Sequence, residues 1–264
     1  MKAAKRLLAV AVVAGAVLAA VMLLRPAGPG DILLSGATAA PIEGAPGTVA
    51  VFVTIGNTGP ADRLTGARSP DATGAELVSP AAAEGLPIPA GSAPELASDG
   101  AYLRLTGVEG GLEDGRLIPV TLEFERAGSL ATKARIAEPQ QAGRASAFGL
   151  LGLGDICIAG EGGEPAPAIS LEVQPDDGGW TVQVLAEDFT FSEALAEGPH
   201  IPGTGHGHLY LGGLKLQRLY APVARIGALP PGRHELRVTL NTNDHRAYVV
   251  DDAPVTATAV IEAR

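Results

Sequence analysis

The chain reads as an all-β protein: two sandwich- or barrel-type domains behind an N-terminal hydrophobic helix. Three observations carry this. Glycine and proline number 35 and 21 among 264 residues, which calls for many turns and favours short strands over long helices. Short alternating apolar stretches bounded by turn clusters recur along the chain. No segment between residues 31 and 137 sustains an apolar period of 3.6 residues. With 46% apolar residues, a chain of this length can bury one large core or two ordinary ones.

The first element, residues 1–30, is an export segment. Lys2, Lys5 and Arg6 precede 18 uncharged residues, Leu7 to Leu24, and Arg25 follows them. At about 1.5 Å per residue such a run spans about 27 Å, close to the hydrocarbon thickness, so both an uncleaved anchor over residues 7–24 and a cleaved signal peptide fit. The excess of positive charge before the run keeps the N-terminus cytoplasmic. The body is therefore periplasmic, or extracellular, and in the anchored form is held at the inner membrane by this helix.

Residues 31–137 form the first domain, with strands expected at 48–55, 75–78, 101–106, 118–124 and 132–136. Asn57-Thr58-Gly59-Pro60, Pro89-Ala90-Gly91, Ser98-Asp99-Gly100 and Glu113-Asp114-Gly115 supply the turns between them. Residues 138–168 change character to a Gly/Ala/Leu run with a proline-rich end and read as a linker. Its apolar parts, 148–153 and 156–158, are too hydrophobic to stay in water, so part of it is expected to dock on a domain with Cys157 buried.

Residues 169–264 repeat the strand-and-turn rhythm at 169–173, 180–186, 206–211, 215–220, 234–240, 247–250 and 255–261. Seven strands in this length suit an Ig-like sandwich. Gly212-Gly213 marks a tight hairpin, and Pro230-Pro231-Gly232 a second turn.

Charge and cysteine content narrow the function. Beyond Arg25 the chain carries 15 basic against 29 acidic residues, so it offers no broad basic face and nucleic acid is excluded as a partner. The single Cys157 excludes an intrachain disulfide framework and any four-cysteine zinc site. There is no G-x-S-x-G elbow, no phosphate-binding G-x-x-x-x-G-K-[ST] loop and no H-E-x-x-H helix.

The histidines are the informative feature. All five, His200, His206, His208, His234 and His245, lie in the second half. In His206-Gly207-His208 the two-residue strand period puts both imidazoles on one face, which is how one strand supplies two ligands to one ion. Tyr210 continues that face. His200 precedes the pair across a Pro-Gly-Thr-Gly loop, and His245 follows the polar turn Asn241-Thr242-Asn243-Asp244. His234 shares parity with Leu236, Val238 and Leu240 and reads as a core cap. Imidazole ligands suit copper(II), zinc or nickel, and protonation would weaken such a site below about pH 6.

With these residues laid out, the first domain resembles the periplasmic copper chaperones of the PCu(A)C type. The resemblance is carried by Ala50-Val51-Phe52-Val53-Thr54-Ile55-Gly56-Asn57-Thr58-Gly59, Ala61-Asp62-Arg63-Leu64 with Ser69-Pro70, Ala75-Glu76-Leu77, Ile88-Pro89-Ala90-Gly91 and Leu112 through Gly128. It implies a cupredoxin-like β-barrel, copper(I) held by histidine and methionine, and delivery toward cytochrome oxidase assembly proteins. The chain departs from that pattern at the ligands: Val78 stands where the first histidine would follow Glu-Leu, and Tyr102 and Arg104 stand where a His-x-Met pair would. Its only methionines, Met1 and Met22, lie in the export segment. The second half is similar to domains fused after such chaperones, marked by Gly205-His206-Gly207-His208-Leu209-Tyr210 and Asn241-Thr242-Asn243-Asp244-His245-Arg246.

The sequence thus leads to a periplasmic copper-handling protein, a binder rather than an enzyme. Its expected metal ligands are His200, His206, His208 and His245, with zinc as the alternative ion. The competing reading is a metal-free interaction module that docks on a membrane oxidase or another copper protein.

Overall fold

A computed structural model describes residues 30–79, 85–137, 155–160 and 162–264. Residues 1–29 of the export segment, and with them residues 7–24, lie outside these residues, as do all of residues 138–154. Among the described residues every regular element is a strand, and no helix is long and apolar enough to cross a membrane.

The first domain holds β1 (Ile32–Pro41), β2 (Val49–Asn57), β3 (Asp62–Arg68), β4 (Gly74–Val78), β5 (Leu86–Ile88), β6 (Glu95–Leu96), β7 (Tyr102–Thr106), β8 (Leu117–Phe124) and β9 (Gly128–Ile136). They pair in the order β4-β7-β2-β1-β9-β8-β3-β5, all antiparallel except β1 with β9. Alternation sets which side chains go inward. Along β2, Val49, Val51, Val53 and Ile55 are buried, and along β8 Ile118, Val120, Leu122 and Phe124 face them in one core. The strand period of two is what makes this face continuous.

The remaining residues supply β10 (Ile156–Ile158), β11 (Ala168–Asp176), β12 (Gly179–Glu187), β13 (Thr190–Phe191), β14 (Thr204–Leu211), β15 (Leu214–Leu219), β16 (Val223–Gly227), β17 (Gly232–Thr242), β18 (Ala247–Val250), β19 (Ala253–Pro254) and β20 (Thr256–Ala263). One sheet runs β15-β14-β17-β20; the other is β11-β12-β16. Leu209, Leu211, Leu236, Val238 and Ile261 of the first meet Val182, Val184, Ala224 and Ile226 of the second, which makes a two-layer sandwich. Two pairings in this half, β13 with β14 and β10 with β18, are parallel; the others are antiparallel. β10 is the docked part of the linker segment, and it buries Cys157.

The two halves touch directly. The backbone N–H of Ala101 donates to the Gly213 carbonyl (2.7 Å) and that of Ala90 to the Ala228 carbonyl (2.9 Å), while Lys215 of β15 pairs in register with Glu95 of β6. Leu214, from the second half, is fully buried in the core of the first. Glycine permits this approach: a Cβ on Gly100 would come within 2.6 Å of the Gly213 carbonyl oxygen and 3.2 Å of the Tyr210 ring.

β14 is consequently covered on both sides. Its odd-numbered residues, Leu209 and Leu211, face the sandwich core. Its even-numbered residues, His206, His208 and Tyr210, face the other way, and Tyr210 reaches the first domain, where its hydroxyl meets Asp99. This places the histidines in a buried layer beside the interface between the domains.

Candidate metal centre

His206 and His208 follow each other on one face of β14, opposite Asn241 and Thr239 of β17. His245 comes from the turn joining β17 to β18. That turn is closed by the Thr242 N–H on the Arg246 carbonyl (2.9 Å) and the His245 N–H on the Thr242 carbonyl (3.1 Å), with His245 at a φ of 66°. The left-handed conformation, uncommon outside glycine and asparagine, turns the chain back over the sheet. The His206 and His245 ring centroids end 4.8 Å apart, and those of His206 and His208 4.9 Å apart.

One nitrogen from each of the three rings lies within 4.8 Å of the other two. His206 Nε2 and His208 Nε2 are 3.1 Å apart. His206 and His208 are 0% and 1% exposed, and the Nδ1 of His206 is buried with no hydrogen-bond partner. His245 is partly open to solvent, its Nε2 lying 2.8 Å from Glu197 Oε2, which is paired in turn with Arg218 through the other carboxylate oxygen.

The orientation of His208 is set from the first domain. Its Nδ1 donates to Asp99 Oδ2 at 2.8 Å, and the same oxygen accepts from Lys215 Nζ (2.7 Å) and the Tyr210 hydroxyl (3.0 Å). With the proton fixed on Nδ1, the lone pair of His208 is on Nε2, the nitrogen that faces His206. A carboxylate that accepts from the far nitrogen of a ligating imidazole fixes its tautomer and raises its basicity. Asp99 is 4% exposed, so this anion is held in a dry setting by three cationic or proton-donating partners.

Burial opposes ionisation of Asp99, but the His208 hydrogen bond and the Lys215 charge outweigh it and hold the carboxyl well below its usual range. Burial lowers His206 to about 3, with the neighbouring His208 charge adding to it, and lowers His208 to about 4 against the opposing pull of Asp99. Both rings are thus neutral, the form that coordinates a metal, well below the pH of about 6 expected from free imidazole.

His200 joins a different group. Its Nε2 is 2.7 Å from Glu164 Oε2 and 3.8 Å from Cys157 Sγ. His234 donates from Nε2 to the Pro230 carbonyl at 2.7 Å and caps the core at the start of β17. Sequence reasoning missed Asp99, Lys215 and Glu164. Asp99 sits in a Ser-Asp-Gly turn, and Glu164 in a proline-rich stretch, both indistinguishable by composition from solvated loops.

Gly205 is needed for this geometry, because a Cβ there would overlap the Asn241 carbonyl oxygen of β17. Gly205→Ala is therefore expected to separate β14 from β17 beside His206, at a cost of about 1–3 kcal/mol or more, seen as a lowered Tm. An unchanged Tm would show that the two strands have slack there.

Residues 32–136 match the family model of the LpqE-like lipoproteins, a description that suggests an extracytoplasmic location. No curated protein matches the chain. Among solved structures it is similar to the copper-bound PCuAC domain from PmoF2, at 23% identity and a TM-score of 0.39, over 44% of this chain and 100% of that one. It is similar to the apo PCuAC domain from PmoF1, at 26% identity and a TM-score of 0.38, over 44% and 100%. A third likeness is to the copper(I) form of DR1885 from Deinococcus radiodurans, at 23% identity and a TM-score of 0.34, over 44% and 81%.

Proposed function

We propose that this is an extracytoplasmic copper-handling protein in which the second domain holds the ion, through His206, His208 and His245, and the first domain supports that site. The observation that carries the reading is the convergence of three imidazole nitrogens within 4.8 Å, one of them oriented by a buried carboxylate. Nitrogen donors of this kind take copper(II), zinc or nickel, and the general affinity order of divalent ions puts copper(II) first. The sequence resemblance of the first domain to copper carriers supports the same choice, as does a negative body that concentrates cations.

The first domain contributes no ligand set of the copper(I) type in this reading. Val78 and Tyr102 are paired across β4 and β7, Arg104 lies opposite Glu76 in the same ladder, and the exported body contains no methionine. In this reading the protein is a binder rather than an enzyme. Residues 7–24 attach it to the inner membrane.

Calorimetric titration of the full chain, free of any polyhistidine tag, with copper(II), zinc and anaerobic copper(I) tests this. The expected result is saturable copper(II) binding from which the His206→Ala/His208→Ala variant loses one equivalent. A copper-dependent rise in Tm should accompany it, since a ligand that binds only the folded state stabilises that state. Unchanged stoichiometry in the double variant would remove the assignment, and no saturable binding of any ion would favour the metal-free interaction module.

A further inference from the structure

Cys157, Glu164 and His200 form a second group of metal-ligating side chains, beside Tyr248 of β18. Cys157 is on β10, which β18 carries by parallel pairing (Cys157 opposite Tyr248), and Glu164 follows in the same segment. His200 precedes β14. One ligand atom of each residue lies within 4.8 Å of the other two, and His200 Nε2 is the centre of the group, in contact with both the sulfur and Glu164 Oε2. All three are largely enclosed: Cys157 is 5% exposed, and the side chains of His200 and Glu164 are 15% and 10% exposed.

We propose that Cys157, Glu164 and His200 bind a divalent ion of the zinc type, independently of the three-histidine centre. Sulfur, imidazole nitrogen and carboxylate oxygen are the three donors that zinc takes together, at about 2.0–2.3 Å. Two tetrahedral ligands at such lengths stand about 3.3–3.8 Å apart. The Cys157–His200 separation of 3.8 Å meets this, and the His200–Glu164 contact of 2.7 Å opens to it by a shift of about half an ångström.

The outer contacts are in place. Glu164 Oε1 accepts from the Gly203 N–H (3.0 Å) and the Tyr248 hydroxyl (3.0 Å), which leaves Oε2 aimed at His200. These are the supports that orient a ligating carboxylate. On binding, the Cys157 thiol gives its proton to solvent, and the thiolate and carboxylate together neutralise the two positive charges, so no net charge is left in a buried site. Without an ion, burial and the adjacent Glu164 charge raise the thiol and keep it protonated.

Cobalt(II) is the probe, because a thiolate on tetrahedral cobalt gives a near-ultraviolet charge-transfer band that histidine ligands do not. The full chain and its His206→Ala/His208→Ala variant should both show the band, and Cys157→Ser should abolish it. In the double variant, His200→Ala should also remove the zinc-dependent rise in Tm, a readout that spares the cysteine. No band in either protein, or a band lost with His206 and His208, overturns the second site. The two readings fail separately: a lost band leaves the histidine-dependent equivalent standing, whereas unaltered binding with an intact band removes only the three-histidine centre.

Discussion

Asp99→Asn should weaken copper(II) binding at the three-histidine centre by about 10–100-fold, the usual consequence of removing a carboxylate that orients a ligating imidazole. The amide can still meet His208 Nδ1, but with either an N–H or a C=O, so the tautomer that leaves Nε2 free is no longer imposed. The same change leaves Lys215 Nζ, 2.7 Å from the lost charge and on a side chain 11% exposed, without its counter-ion. Breaking a buried pair in this way costs about 3–5 kcal/mol, so Tm should fall markedly. Lys215→Met separates the two effects. It removes the cation but keeps the Asp99–His208 bond, so stability should fall while copper affinity stays within a few-fold of the parent. Equal loss of affinity in both variants, measured by calorimetry, would mean that Asp99 acts only by holding the domains together.

This dependence gives the first domain a role that its own sequence does not suggest. The first domain contributes one carboxylate, Asp99, across an interface to His208 of the neighbouring sandwich. The backbone contacts at Ala101–Gly213 and Ala90–Ala228, and the insertion of Leu214 into the first core, fix the distance across which Asp99 reaches.

How much of this was legible in the chain differs by element. Strands with strict alternation, such as Val49–Asn57 and Leu117–Phe124, follow from period two alone. β1 is obscured because Gly36, at a φ of 61°, interrupts its register between Ser35 and Thr38, and β3 because Asp62-Arg63-Leu64-Thr65-Gly66 has little apolar content. The pairing of His206 with His208 is a property of one strand and can be read directly. That His245 joins them while His200 turns to Cys157 depends on a left-handed turn and on where β10 docks. Both are set by long-range packing that no local pattern encodes. Asp99 is the extreme case, since its role exists only once the two domains meet.

Acidification should destabilise the metal-free protein well before its carboxylates titrate. An unfolded histidine takes up a proton near pH 6.5, whereas folded His206 and His208 do so only at about 3 and about 4. Between those values the unfolded state binds more protons, so unfolding free energy falls as pH falls, beginning near 6.5 and levelling only when the folded rings protonate. Each unit of depression corresponds to about 1.4 kcal/mol, and two buried rings together lose several kcal/mol by pH 4. Asp99 acts in the same direction at lower pH, because its unfolded carboxyl protonates near 3.8 while the folded one stays charged. Melting curves of the apo protein from pH 7.5 to 4 should therefore show Tm falling continuously below 6.5, and the slope should be shallower in His206→Gln, which removes the more depressed group. A Tm that is flat between pH 6.5 and 4.5 would mean that the rings gain protons in the folded state. The buried, neutral ligand pair on which the copper reading rests would then not exist in solution.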